Sequence, residues 1–101
     1  MTLQEQFTRD LLAKTEQAKA IGCGLSAKSM QTIQVKGGAE LAHFIFSREG
    51  TSENFDKLVK AGRTDLSLEA QVVEARYAAL FSDDEVNYCF TLLCDAGYFV
   101  I

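Results

Sequence analysis

Ser26-Ala27-Lys28-Ser29-Met30-Gln31-Thr32-Ile33-Gln34-Val35-Lys36 decides between an all-helical chain and one that carries a sheet. Read with a helical period, Ala27, Met30 and Ile33 recur three apart, and Ser26 offers an N-cap oxygen at the start. Read with a period of two, Thr32-Ile33-Gln34-Val35-Lys36 alternates polar and apolar side chains as a strand does. A strand needs a second one to satisfy its backbone groups, and the chain offers no second convincing strand. The segment is therefore expected to be a helix from Ser26 to Lys36, and the fold all-α.

The flanking segments agree. Upstream, Thr2 and Glu5 form a T-x-x-E capping box, and Leu3, Phe7, Leu11, Ala18 and Ile21 recur on one face, so a helix is expected over Thr2 to Ile21. Downstream, Gly38 or Ala39 to Arg48 carries Leu41, Ala42, Phe44, Ile45 and Phe46 around most of its circumference, the mark of a central helix or of one in a subunit interface. Ser52 to Ala61 places Phe55, Leu58 and Val59 together, with Thr51 or Ser52 as cap. In Asp65 to Phe81 the alternation Leu66, Leu68, Ala70, Val72 competes with the helical spacing Leu66, Ala70, Val73, Tyr77, Leu80. The latter predicts one short helix, a break near Glu74 to Arg76, and a turn ending at Phe81. Ser82-Asp83-Asp84-Glu85 is a second capping box with two further acids, opening a helix that runs to Ala96.

With no proline anywhere, glycine is left to end these helices, and stops are expected at Gly22, Gly37, Gly50, Gly62 and Gly97. Short connections then imply a compact orthogonal bundle of five to six short helices forming one domain over residues 1–101. The 101 residues suffice for one core without disulfides or metals, and an apolar share of 48% with a net charge of −4 excludes intrinsic disorder.

Composition also narrows function. No stretch approaches the ~18–20 apolar residues of a membrane span, and Met1 to Asp10 lacks a basic segment leading into an apolar one, so a cytoplasmic protein without a signal peptide is expected. Three cysteines (Cys23, Cys89, Cys94), no CxxC and one histidine suit neither a disulfide framework nor a zinc site, and neither metal nor cofactor is expected. Residues 1–63 carry nine Lys/Arg against seven acids, whereas residues 64–101 carry Arg76 alone against seven. That acidic last third argues against broad phosphate binding and so against nucleic acid as the partner.

Lys36-Gly37-Gly38-Ala39-Glu40-Leu41-Ala42, then Ser52-x-x-Phe55-x-x-Leu58, Gly62-Arg63-x-Asp65-Leu66-Ser67-x-Glu69-Ala70-x-Val72, Leu80-Phe81-x-x-x-Glu85 and Gly97-Tyr98 follow one another in order. In these blocks the chain resembles an uncharacterised small bacterial helical domain found in phage-related and other accessory gene neighbourhoods. The resemblance covers about residues 26–98, and Gly62 to Glu69 is its most specific part. It implies helices and a bacterial cytoplasm, and no activity, cofactor or catalytic residue. Phe44-Ile45-Phe46 and Phe99-Val100-Ile101 depart from the pattern.

Few residues carry chemistry by type and spacing. His43 on the most apolar segment would need an orienting carboxylate to act as a base, and Glu40 three residues earlier is within reach on a helix. Ser82 to Glu85 lacks the alternate spacing and glycine of a calcium loop, and Lys36-Gly37-Gly38 is too short for a phosphate loop. Arg63, Asp65 and Ser67 share a short connection; they form either an Arg63–carboxylate clamp with Gly62 and Ser67 as caps, or a cationic contact for a partner or an anion. Phe44, Phe46, Phe99, Val100 and Ile101 exceed what a small core obviously needs; they dock either in the chain's own core or across a two-fold dimer interface. The expected function is a non-enzymatic protein-interaction or regulatory module, acting as a homodimer. The alternatives are a nucleic-acid accessory protein using Lys28, Ser29, Gln31, Thr32, Gln34 and Lys36, and a small-ligand binder or enzyme centred on His43.

Overall fold

A helix begins well where a side chain accepts its free N–H groups and ends well where one residue turns left-handed. The computed structural model describes residues 1–98, which form α1 (Leu3–Ala20), α2 (Ala27–Lys36), α3 (Gly38–Ser47), α4 (Phe55–Lys60), α5 (Leu68–Val72) and α6 (Asp83–Asp95). Two 3₁₀ segments, Thr64–Leu66 and Ala75–Leu80, complete the regular structure. No strand occurs among the described residues, and the chain is all-α. The deciding segment is α2, capped by Ser26, whose hydroxyl accepts the Ser29 N–H at 3.2 Å. The expected interface residues Phe99, Val100 and Ile101 lie outside the described residues.

Both capping boxes form in both directions, Thr2 with Glu5 and Ser82 with Glu85. At the other ends, Gly22, Gly62 and Gly97 adopt φ of 81°, 72° and 75°. In each case the following N–H bonds back to a carbonyl five residues earlier, as Arg63 does to Leu58 at 2.9 Å. The expected stop at Gly50 is corrected by one residue. Glu49 takes the left-handed position at φ 54°, and Gly50 closes the motif by donating to the Ile45 carbonyl at 3.0 Å. The last helical residue of α3 is Ser47, which puts glutamate at the left-handed position and glycine after it.

Gly37 ends α2 and starts α3, at φ 95° and ψ 156°, a conformation essentially restricted to glycine. Its neighbour Gly38 packs on α1: a Cβ there would lie 2.9 Å from Leu11 Cδ2, and its N–H donates to Thr8 Oγ1 at 2.9 Å. α3 therefore crosses α1 closely and takes the central place its apolarity demands.

α4 starts at Phe55 rather than at Ser52, another correction. Ser52 is buried, and both its N–H and its hydroxyl donate to the Glu69 carboxylate, each at 2.7 Å. These bonds tie Ser52 to α5, and the helix starts three residues later. Glu69 itself is fully buried near the start of α5; burial pushes its carboxyl above the usual range, against the pull of the two Ser52 bonds. After α5 the chain breaks at Glu74, which is extended, and turns through Ala75–Leu80 as expected.

The core gathers Phe7 and Leu11 of α1, Ile33 of α2, Leu41, Ala42 and Phe46 of α3, Val72 of α5, Tyr77, Phe81 and Cys89. Phe7 sits at its centre, with the Tyr77 and Phe81 rings edge-on at 4.9 and 5.3 Å. Cys23 and Cys89 are buried and Cys94 is exposed; all three are free thiols, and burial pushes Cys89 up. No helix among the described residues is long and apolar enough to cross a membrane.

Candidate functional site

Residues four apart on a helix share a face, so Lys28, Thr32 and Lys36 form one stripe along α2, and Glu40, Phe44 and Arg48 one along α3. The single-residue joint at Gly37 brings the two stripes together. Between them lies an open groove of about 760 Å³ whose walls also include Ser29, His43, Ile45, Ser47, Thr51 and Glu53.

Glu53 is committed to the fold. Its Oε1 accepts from the Ser26 N–H at 3.3 Å, from the Ser26 hydroxyl at 2.9 Å and from the Ser29 hydroxyl. The Ser29 bond does most to hold this carboxyl below its usual range, and the charge sits at the positive end of α2. Lys28, Lys36 and Arg48 are exposed and enter no ion pair among the described residues. The Arg48 guanidinium lies over the Phe44 ring, 5.3 Å from its centroid. Phe44 is 57% exposed and Val35, on α2, 74% exposed.

Phe46, expected beside Phe44 at an interface, is corrected to a core residue. It is only 8% exposed and meets the Tyr88 ring at 5.7 Å. Two positions along a helix turn the side chain by about 200°, so the pair cannot face the same way.

His43 rests at the edge of the groove with its side chain 38% exposed. The carboxylate that meets it is Glu85 of α6 and not Glu40: Nδ1 and Glu85 Oε2 are 2.5 Å apart. The other oxygen of Glu85 accepts the Ser82 N–H at 2.9 Å, so one side chain caps α6 and fastens it to α3. Burial alone would raise this carboxyl, but the Ser82 N–H and the His43 ring outweigh it and leave it below the ordinary range. An ionised carboxylate only accepts, so Nδ1 carries the proton and a neutral ring presents Nε2 as an acceptor. Among the described residues no hydroxyl or thiol bonds the His43 ring, and no cluster of three or more His, Cys, Asp or Glu is placed to hold a metal.

Arg63 and Asp65 pair with each other inside their short connection. Arg63 grips Asp65 through Nε at 3.2 Å and through a second nitrogen at 3.3 Å, both side chains remaining about half exposed. Ser67 is fully buried: its hydroxyl donates to the Thr64 carbonyl at 2.7 Å and accepts the Ala70 N–H at 3.1 Å, capping α5. Burial therefore removes Ser67 from the contact expected with Arg63 and Asp65.

Comparison with protein-family models, with curated proteins and with solved structures finds no match. The function must be read from the site. The cations of the groove are scattered in sequence at positions 28, 36 and 48, and only the four-residue spacing of Lys28, Thr32 and Lys36 signals a common face. Nothing local signals that Glu85 meets His43, since 42 residues separate them.

Proposed function

We propose that this chain is a non-enzymatic protein-interaction module of the bacterial cytoplasm, with the α2–α3 groove as its docking surface and a second copy of itself among its partners. We read the packing of its short helices as a compact orthogonal bundle, a reading supported by their short connections. The observation that carries the reading is Phe44, more than half exposed beneath the Arg48 guanidinium, in a groove where Lys36 and Arg48 enter no ion pair among the described residues. Phe7, Phe46, Phe55 and Phe81 are all buried. Leaving one such ring in water forgoes roughly 1.5–3 kcal/mol of burial, which a docked partner recovers.

Selection of binders from a random peptide library, followed by NMR mapping of the selected peptide, tests this. The expected result is shifts confined to α2, α3 and Phe44, and at least a tenfold loss of affinity in Phe44→Asp. Shifts elsewhere, or equal binding by the variant, would overturn it.

The His43–Glu85 pair favours a second reading, a small-ligand binder or enzyme. A base held in one tautomer beside a groove is a usable element, and covalent catalysis would need a nucleophile on the ring as well. The docking reading uses more of the site. A nucleic-acid partner is opposed by Glu40 and Glu53 in the same groove, and no retention of labelled duplex is expected even at low salt.

A further inference from the structure

His43 has one ring nitrogen engaged and the other unused. Nδ1 meets Glu85 Oε2, and Nε2 enters no hydrogen bond among the described residues. Because the carboxylate accepts the Nδ1 proton, the lone pair of the neutral ring is on Nε2. The buried Phe81 ring lies 5.2 Å from the imidazole on its core side, while the His43 side chain stays 38% exposed in the groove wall. With no hydroxyl or thiol bonded to the ring, the nucleophile that this pair offers is Nε2 itself.

An imidazole that bonds an electrophile through Nε2 and keeps its Nδ1 proton becomes a cation. Glu85 stands where that charge appears, which stabilises the bonded form over the free one. The groove also selects the charge of the electrophile. Glu53 is held by Ser26 and Ser29 and feels the charge of Lys28. Lys36 and Arg48 enter no ion pair among the described residues, and Glu40 is the groove carboxylate that opposes them. The balance favours an anion. Among the electrophiles that a ring nitrogen takes, the phosphoryl group is the anionic one, and its transfer depends on positioning and charge more than on covalent help.

We propose that His43 Nε2 is a phosphoryl-accepting site, loaded from a donor that carries phosphorus on nitrogen, a phosphoramidate. The Nε2 lone pair attacks phosphorus, the Nε2–P bond forms and the P–N bond of the donor breaks. The departing nitrogen, protonated in the donor, keeps the electron pair and leaves as a neutral amine. The ring ends with phosphorus on Nε2 and its proton still on Nδ1, facing Glu85. One P–N bond replaces another, so no further reactant is needed. Glu85 acts as a positioning residue. The inference goes beyond the docking reading and stands without it, since a small donor reaches the ring unaided.

Potassium phosphoramidate added to the full chain tests the site. Intact mass follows the gain of a phosphoryl group, and proton–nitrogen NMR correlations identify the ring nitrogen that carries it. His43 is expected to react on Nε2 alone, about tenfold or more faster than the histidine of a peptide of residues 40–47. Glu85→Gln keeps an acceptor for the Nδ1 proton but lacks the charge, so the product stays on Nε2 and forms about tenfold more slowly. Glu85→Ala releases the proton to either nitrogen, and product on Nδ1 is expected as well. Lys36→Gln with Arg48→Gln should slow the reaction about threefold. Far-UV circular dichroism and thermal melts establish that each variant is folded; the wild type against the peptide decides the matter even where one is not. A wild-type rate equal to that of the peptide, wild-type product on Nδ1, or a folded Glu85→Gln that reacts at the wild-type rate would each overturn the proposal.

Discussion

Two parts of the surface treat charge in opposite ways. Where the Ala75–Leu80 segment lies on α1, charges are matched across the contact. Lys14 reaches Glu74 at 3.1 Å, Arg76 reaches Glu74 at 3.0 Å and Asp10 at 3.1 Å, and the Tyr77 hydroxyl donates to Asp10. Arg76 also lies 4.8 Å from the centroid of the Tyr77 ring. On the α2–α3 face, Lys36 and Arg48 enter no ion pair among the described residues, and Lys28 acts on Glu53 by its charge without a salt-bridge contact. The contrast has a physical reason. A 3₁₀ segment has poorer backbone hydrogen bonds than an α-helix and gains from being tied down. α2 and α3 need no such help, being full helices packed on the core. Charge is matched where the fold depends on it and left open where it does not.

The sharpest way to break that contrast is to remove one phenylalanine from each region. Phe7→Ala is expected to cost about 3–5 kcal/mol, since the ring is fully buried among Tyr77 and Phe81. Phe44→Ala should change stability by no more than about 0.5 kcal/mol. Urea denaturation of both measures the difference, and a loss above about 1.5 kcal/mol in Phe44→Ala would mean that the ring belongs to the core.

Next in size is the matched side at high pH. Burial, then the bond to Asp10 and its charge, pushes the Tyr77 phenol up to about 12 from an ordinary value of 10.0. Between these values the unfolded chain releases the proton while the folded one keeps it, so stability falls as pH rises through that window. Tyr77→Phe should lessen this fall, leaving the part due to the raised Tyr88 and Cys89, while losing about 1 kcal/mol at neutral pH. Tyrosinate absorbance, followed through the same window, should lose its latest step in the variant.

The smallest effects separate two carboxylates. Glu69 is raised, so its contribution is present below the ordinary carboxyl value of 4.5 and declines as pH rises from there. Glu69→Gln keeps both links to Ser52 without the buried charge and should gain on the wild type between pH 4.5 and 7. Glu85 is lowered, and its contribution is present above 4.5 and lost as pH falls through its folded value. Glu85→Gln should therefore match the wild type most closely in acid. Denaturation midpoints across this range, moving in opposite senses for the two variants, are the expected outcome; parallel curves would contradict it.

Much of the backbone was legible because its determinants are local. Thr2 with Glu5, Ser82 with Glu85, and the glycines at 22, 37, 62 and 97 act within one helical turn, and a one-dimensional reading finds them. The stop expected at Gly50 falls one residue earlier, at Glu49, because a helix end can be closed with glycine in either of two successive positions. The long-range links were not legible. Ser52 with Glu69, His43 with Glu85 and Glu53 with Ser26 span 17, 42 and 27 residues, and each depends on how helices pack. The same dependence hid the groove, since Phe44 and Phe46 look alike in sequence and only the packing of α3 on α1 turns one outward and the other in.

Gly37 joins the two walls of the groove without an intervening loop, and the Gly38 N–H fixes that joint to Thr8 of α1. The walls are thus held at their separation before anything enters. In the proposed docking role a visiting segment would find the backbone of both walls already in place, and the ordering cost on this side would fall on the Lys28, Lys36 and Arg48 side chains.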